Sequence, residues 1–117
     1  RQLAVRFVAE DLVWFDFDVI CGDGRAAPDY IEIARIYHTV VVTGLPNLGI
    51  AGDDSTRRFL HLVDEFYDRS VNLILGADVS IDRLYASGRL AFEMERCCSR
   101  LLEMQSVDYL ERPHRPD

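Results

Sequence analysis

Apolar and polar residues alternate with a period of two at the start of the chain. Leu3, Val5 and Phe7 share one face, and beyond Glu10-Asp11 the residues Val13, Phe15, Phe17 and Val19 share one face of a second run. Successive side chains of a strand point to opposite sides, so the pattern predicts a β-hairpin over residues 1–21 with its turn at Glu10-Asp11. Trp14, Asp16 and Asp18 then lie on the opposite face, open to solvent or to a covering from outside this chain.

The period changes after the loop GDGRAAP at 22–28. Pro28 suits the first turn of a helix, where its missing N–H costs nothing, and Tyr30, Ile33, Ala34 and Tyr37 fall on one stripe. Thr39 to Thr43 is an unbroken β-branched run bounded by Gly44 and Pro46, the signature of a strand covered on both faces. A Gly, Asn and Asp loop to about residue 54 leads into a second helix, capped by Asp54 or Ser55, with Phe59, Leu62, Val63 and Phe66 at i, i+3, i+4 and i+7. VNLILGAD at 71–78 reads as a second apolar strand, and this strand, helix, strand order implies a right-handed crossover and a parallel pair.

Ser80 is placed to cap a short helical turn, IDRLYA, that Gly88 ends. LAFEM at 90–94 alternates like a strand, whereas from Glu95 a helical stripe of Cys98, Leu101, Leu102 and Gln105 is expected. The tail RPHRPD has two prolines and few apolar anchors. The fold class is therefore α/β: an N-terminal β-hairpin, alternating helices and strands with a small, mostly parallel sheet, and a C-terminal helix. Residues 1–111 form a single domain and 112–117 a flexible tail.

Composition narrows the function. At 117 residues and 49% hydrophobic, the chain has material for one ordinary core. Its thirteen basic residues are all arginine, against twenty acids, and the net charge of −7 argues against a nucleic-acid partner, which needs clustered positive charge. Three cysteines, two of them adjacent, imply no disulfide framework. With no apolar run of membrane-spanning length and no signal-peptide pattern at the start, a cytoplasmic location is expected. The first residue is not methionine and falls within a strand pattern, which suggests a piece of a larger protein.

The total absence of lysine bears on chemistry. A P-loop needs a lysine to reach the β- and γ-phosphates, and Arg25 in GDGR does not replace it, so this stretch reads as an ordinary turn and the chain alone as no ATPase. FLHLVDEFYD at 59–68 resembles the apolar run ending in Asp-Glu that holds magnesium in such enzymes, but its helical spacing puts Asp64 and Glu65 on a helix flank. A hydrolase site of Asp64, Glu65 and Asp78 would require these to converge on one cavity. His38, His61 and His114 lack partners at metal-ligand spacing. Cys97 and Cys98 point about 100° apart on a helix and read as structural thiols. Arg57, Arg58, Arg96 and Arg100 remain: an arginine presented by a helix can reach a phosphate on a neighbouring domain, or simply pair with surplus carboxylates, Arg96 with Glu103 or Asp64 with arginines such as Arg57.

Three stretches carry a resemblance: WFDFDVICGDGRAAPDYIEIARIYHTVVV, RRFLHLVDEFYDRSVNLILGADV and RLYASGRLAFEMERCCSRLLEMQSVDYLERPH. In this order they are similar to the C-terminal region of the ZapE-type cell-division ATPases, AAA+-like P-loop enzymes with mitochondrial relatives. The most specific parts are DYIEIARIYHTV, RRFLHLVDEFYD and SRLLEMQS. The departures are Gly24-Arg25-Ala26-Ala27 near a usual Pro-Arg-Ser, Gly76-Ala77-Asp78 in place of Ser-Ala-Glu, and Asn72 in place of a lysine.

The resemblance implies an accessory region whose ATP and magnesium bind in an upstream core, with the tubulin-like division protein FtsZ as the bacterial family's target and protein quality control as the mitochondrial role. It assigns no catalytic residue here. Arg57, Arg58, Ser99 and Arg100 are the candidate contacts to the ATPase core or to a partner subunit in a homo-oligomer. A rival reading is a stand-alone interaction module with Trp14, Tyr30, Tyr67 and Tyr85 as anchors if exposed.

Overall fold

A computed structural model describes residues 3–117. Its frame is one four-stranded sheet in which β1 (Phe7–Val8), β2 (Leu12–Asp16), β3 (Thr39–Leu45) and β4 (Asn72–Ala77) lie in sequence order. β1 runs antiparallel to β2, and β2, β3 and β4 are parallel. Parallel neighbours require a crossover, and each carries helices. α1 (Phe17–Ile20) and α2 (Ala27–Ile36) link β2 to β3, and α3 (Leu48–Ala51) and α4 (Asp53–Asp68) link β3 to β4. A 3₁₀ turn (Ile81–Arg83), α5 (Ala91–Glu103) and α6 (Val107–Leu110) complete the chain.

The hairpin is shorter than the alternation suggests. β2 stops at Asp16, and Phe17 to Ile20 close a helical turn, with Cys21 N donating to the Phe17 carbonyl at 2.8 Å. The turn carries Phe17, Ile20 and Cys21 into the core together, which a continued strand with side chains on alternating faces would not do. α2 and α4 keep their expected stripes: Tyr30, Ile33 and Ala34 are buried on one, Phe59, Leu62, Val63 and Phe66 on the other. α4 begins at Asp53, at the very end of the expected loop. Thr56 secures its start by donating to the carbonyls of Gly52 at 2.8 Å and Leu48 at 3.1 Å.

LAFEM is helical, not a strand: α5 starts at Ala91. Its buried stripe is Met94, Cys97, Leu101 and Met104, while Leu102 and Gln105 are exposed and Cys98 is half-buried. The alternation of Leu90, Phe92 and Met94 misled because Phe92 faces solvent, whereas Met94, Cys97 and Leu101 follow the helical period.

The sheet is clad on one side. Val13, Phe15, Val40 and Val42 are fully or almost fully buried and share a core with the α2 and α4 stripes, while their neighbours alternate to the other face. On that face Phe7, Trp14, Val41 and Ile74 stand in register across all four strands. Phe7 and Ile74 are 53% and 54% exposed. β3 was expected to be covered on both faces; among the described residues it is covered on one. β3 ends in a bulge between Val42 and Leu45, where Gly44 takes a φ of 74°, open to glycine at no steric cost.

Candidate functional site

The four candidate residues lie on the two helices that flank each other, Arg57 and Arg58 on α4, Ser99 and Arg100 on α5. The structure gives them different surroundings. Arg100 is committed: it pairs with Asp64 of α4 and its guanidinium lies 4.9 Å from the centre of the Tyr67 ring. Arg96 reaches the other oxygen of Asp64 at 3.7 Å. One carboxylate thus pins two arginines of α5 to α4, rather than Arg96 pairing with Glu103. Glu103 instead accepts from the Tyr67 hydroxyl at 2.8 Å and pairs with Arg112 at 3.4 Å. The Tyr67 hydroxyl is pushed up from its usual value chiefly by that bond to Glu103. Ser99 is exposed on α5 and lines neither cleft described below.

Arg58 is half committed. It donates to the Cys21 carbonyl at 3.2 Å and approaches the fully exposed Asp23 at 3.4 Å, while its side chain is 19% exposed. The carbonyl bond, the more sheltered of the two, ties α4 to the turn after α1. Tyr30 ties the same turn to α2 by donating to the Ile20 carbonyl at 2.8 Å. The GDGR turn follows directly, with Arg25 N donating to the Gly22 carbonyl at 3.2 Å.

Arg57 is exposed, and among the described residues it has no hydrogen-bond or ion-pair partner. It lies where two clefts meet. One, of about 250 Å³, lies beside the first turn of α2 and is lined by Arg25, Ala27, Tyr30, Asp54, Arg57 and Arg58, with His61 at its edge. The other, of about 140 Å³, is bordered by Arg57, His61, Asp64, Glu93 and Arg96. Arg25 also lacks a side-chain partner among the described residues. In a chain of net charge −7, three arginines share one recess with a single carboxylate, Asp54, on its wall. Such a recess favours an anion, since arginine presents several N–H donors in a planar fork. The sequence pointed to Arg57 and Arg58 but not to Arg25, which joins them only because the loop before α2 folds beside α4.

The remaining chemistry is structural. Asp64 is held by arginines and Glu65 by Arg69 at 2.6 Å, so neither carboxylate stands open to a metal, and no group of three His, Cys, Asp or Glu is brought together among the described residues. His38 and His114 stack at 5.2 Å, and His114 Nε2 meets the Ala34 carbonyl. Burial pushes the Cys21 thiol up to about 12, partly opposed by its bond with Tyr30, and pushes Cys97 up to about 12 as well. Thiols so raised are poor nucleophiles. Of the four aromatic anchors, Tyr30 and Tyr85 are buried, and only Trp14 lies on the open sheet face. No helix among the described residues is long and apolar enough to cross a membrane.

The chain belongs to the AFG1-like ATPase family, whose model matches residues 1–113. It is similar to the cell division protein ZapE of Escherichia coli (strain K12), 42% identical over 114 residues, which is 97% of this chain and 30% of that protein. An uncharacterised protein of Schizosaccharomyces pombe is 28% identical over 141 residues, 97% of this chain and 31% of its own length. Lactation elevated protein 1 homolog B of Danio rerio is 39% identical over 92 residues, covering 79% of this chain and 18% of that protein. The chain thus spans about a third of the length of its first relatives. No solved structure matches.

Proposed function

We propose that this chain is the accessory region of a ZapE-like ATPase, without hydrolytic activity of its own, and that its arginine recess meets the nucleotide-binding core or a neighbouring subunit through Arg57. The observation that carries the reading is the contrast among the arginines. Arg58, Arg96 and Arg100 have partners within the chain, whereas Arg57 is offered outward beside a recess suited to an anion. The absence of any lysine agrees from an independent direction, since P-loop chemistry requires one. ATP and magnesium belong in this reading to the core of the longer chain, and the family role is cell division, with FtsZ as the bacterial target.

Two measurements test it. A labelled ATP analogue titrated into the 117-residue chain shows no binding tighter than about millimolar; micromolar binding sinks the proposal. In the longer, ATP-hydrolysing chain, Arg57→Ala lowers turnover by at least about tenfold with the fold intact, the range of a lost charge contact to phosphate or to a core carboxylate. Unchanged turnover removes Arg57 from the reading.

A further inference from the structure

The open face of the sheet carries a feature that the arginine recess does not explain. Phe7 pairs with Trp14, Trp14 with Val41, and Val41 with Ile74, so one apolar row crosses every strand. With strands about 4.8 Å apart the row is about 14 Å long, enough for roughly two and a half turns of a helix laid along it. Mainly polar rows border it: Thr39 and Asn72, beside the half-buried Leu12, on one side, Asp16 and Thr43 on the other. The second border is fixed: Trp14 Nε1 donates to Thr43 Oγ1 at 2.8 Å, Arg6 pairs with Asp16 at 3.3 Å, and the Arg6 guanidinium lies 4.8 Å from the Trp14 ring centre.

Parallel sheets are covered on both faces, because their crossovers and their apolar strands leave neither side suited to water. Here both crossovers serve one face, where the α2 and α4 stripes join Val13, Phe15, Val40 and Val42 in the core. The second layer must come from elsewhere, and the relatives supply a source: the matched region is 30% of ZapE, so most of that protein lies outside it.

We infer that the Phe7–Trp14–Val41–Ile74 row seats an amphipathic helix of the nucleotide-binding core of the longer chain. This rests on the reading above that such a core exists, and it adds where the two parts join. The polar borders make the seat directional. An apolar stripe fits along the row, and polar flanks of the incoming helix meet Thr39 on one side and the Arg6–Asp16 pair on the other.

The test is site-resolved thiol labelling of Ile74→Cys, with Val41→Cys as a second probe and Phe92→Cys on α5, 81% exposed at Phe92, as the control. Each is made in the 117-residue chain and in the longer chain, and modification is read at each site by peptide mass. We expect Ile74→Cys and Phe92→Cys to react alike in the 117-residue chain, and Ile74→Cys and Val41→Cys, but not Phe92→Cys, to slow by at least about tenfold in the longer one, as covered thiols do. If the longer chain hydrolyses ATP yet Ile74→Cys reacts as fast as Phe92→Cys, the seat is wrong and the accessory reading stands. A longer chain with no ATP hydrolysis overturns both. Protection that already rises with concentration in the 117-residue chain gives the face to a second copy and overturns the seat.

Discussion

The Tyr109 hydroxyl lies 2.7 Å from the carbonyl of Val71, the residue that leads into β4, and 3.2 Å from that of Phe66 at the end of α4. The last helical turn of the chain is thereby bolted beneath the helix-to-strand connection that closes the second crossover. Tyr109 is fully buried, so its removal leaves a carbonyl without a donor and without water. Tyr109→Phe should lower stability by about 1–2 kcal/mol, read as a shifted urea midpoint at unchanged slope.

Asp64 and Arg57, on the same helix, make opposite predictions. Asp64→Asn loosens Arg96 and Arg100 together, but these are half-exposed pairs screened by solvent, so the loss should stay below about 1 kcal/mol and shrink in high salt. Arg57→Ala removes no contact within the chain and should change stability by less than about 0.5 kcal/mol. Chemical denaturation of both variants at low and high salt checks the pair.

Alkaline pH should weaken the fold from the ordinary thiol range upward. Burial raises the Cys21 and Cys97 thiols from 9.0 to about 12, so between these values the folded state holds protons that the unfolded state has released. The stability tied to each thiol is complete below pH 9 and is lost as pH rises toward 12. By about pH 10.5 each has forfeited roughly 2 kcal/mol. Tyr30 and Tyr109, also raised by burial, add to the same trend. Urea midpoints at about pH 8 and 10.5 should differ accordingly, and Cys97→Val should flatten the difference.

Gly76 lies against Thr43 so closely that a Cβ would sit 3.0 Å from the threonine methyl. Gly76→Ala should gain about 0.5–1 kcal/mol in chain entropy and spend a similar amount displacing Thr43, for little net change. The displaced hydroxyl no longer meets Trp14 Nε1, so the fluorescence of the chain's single tryptophan should shift. An unaltered spectrum would show that Thr43 yields without turning.

Periodicity made the long elements legible. Phe59, Leu62, Val63 and Phe66 declare α4, and the β-branched run from Thr39 declares β3, because a deep stripe or a buried strand leaves no freedom in composition. Phe17 and Phe92 were misleading for the same reason in reverse. Each fits an alternating pattern, but Phe17 is drawn inward by a helical turn and Phe92 points to water, and single apolar residues do not record which. The site was half visible. The paired arginines of α4 stand out in the sequence, whereas Arg25 lies 32 positions before Arg57, and only the folded crossover puts them on one wall. Nor does the sequence tell Arg57 from Arg100; what separates them is Asp64, placed opposite α5 by packing.

The strands stand in the sheet in the order in which they are synthesised, β1 to β4. Each new strand therefore finds its neighbour already made, and no earlier strand waits for a later one to be inserted beside it. A chain emerging from the ribosome can lay down this sheet from one edge to the other. Contacts between segments close in sequence close small loops, the cheapest in entropy, so assembly can keep pace with synthesis and leaves the β4 margin as the last to form.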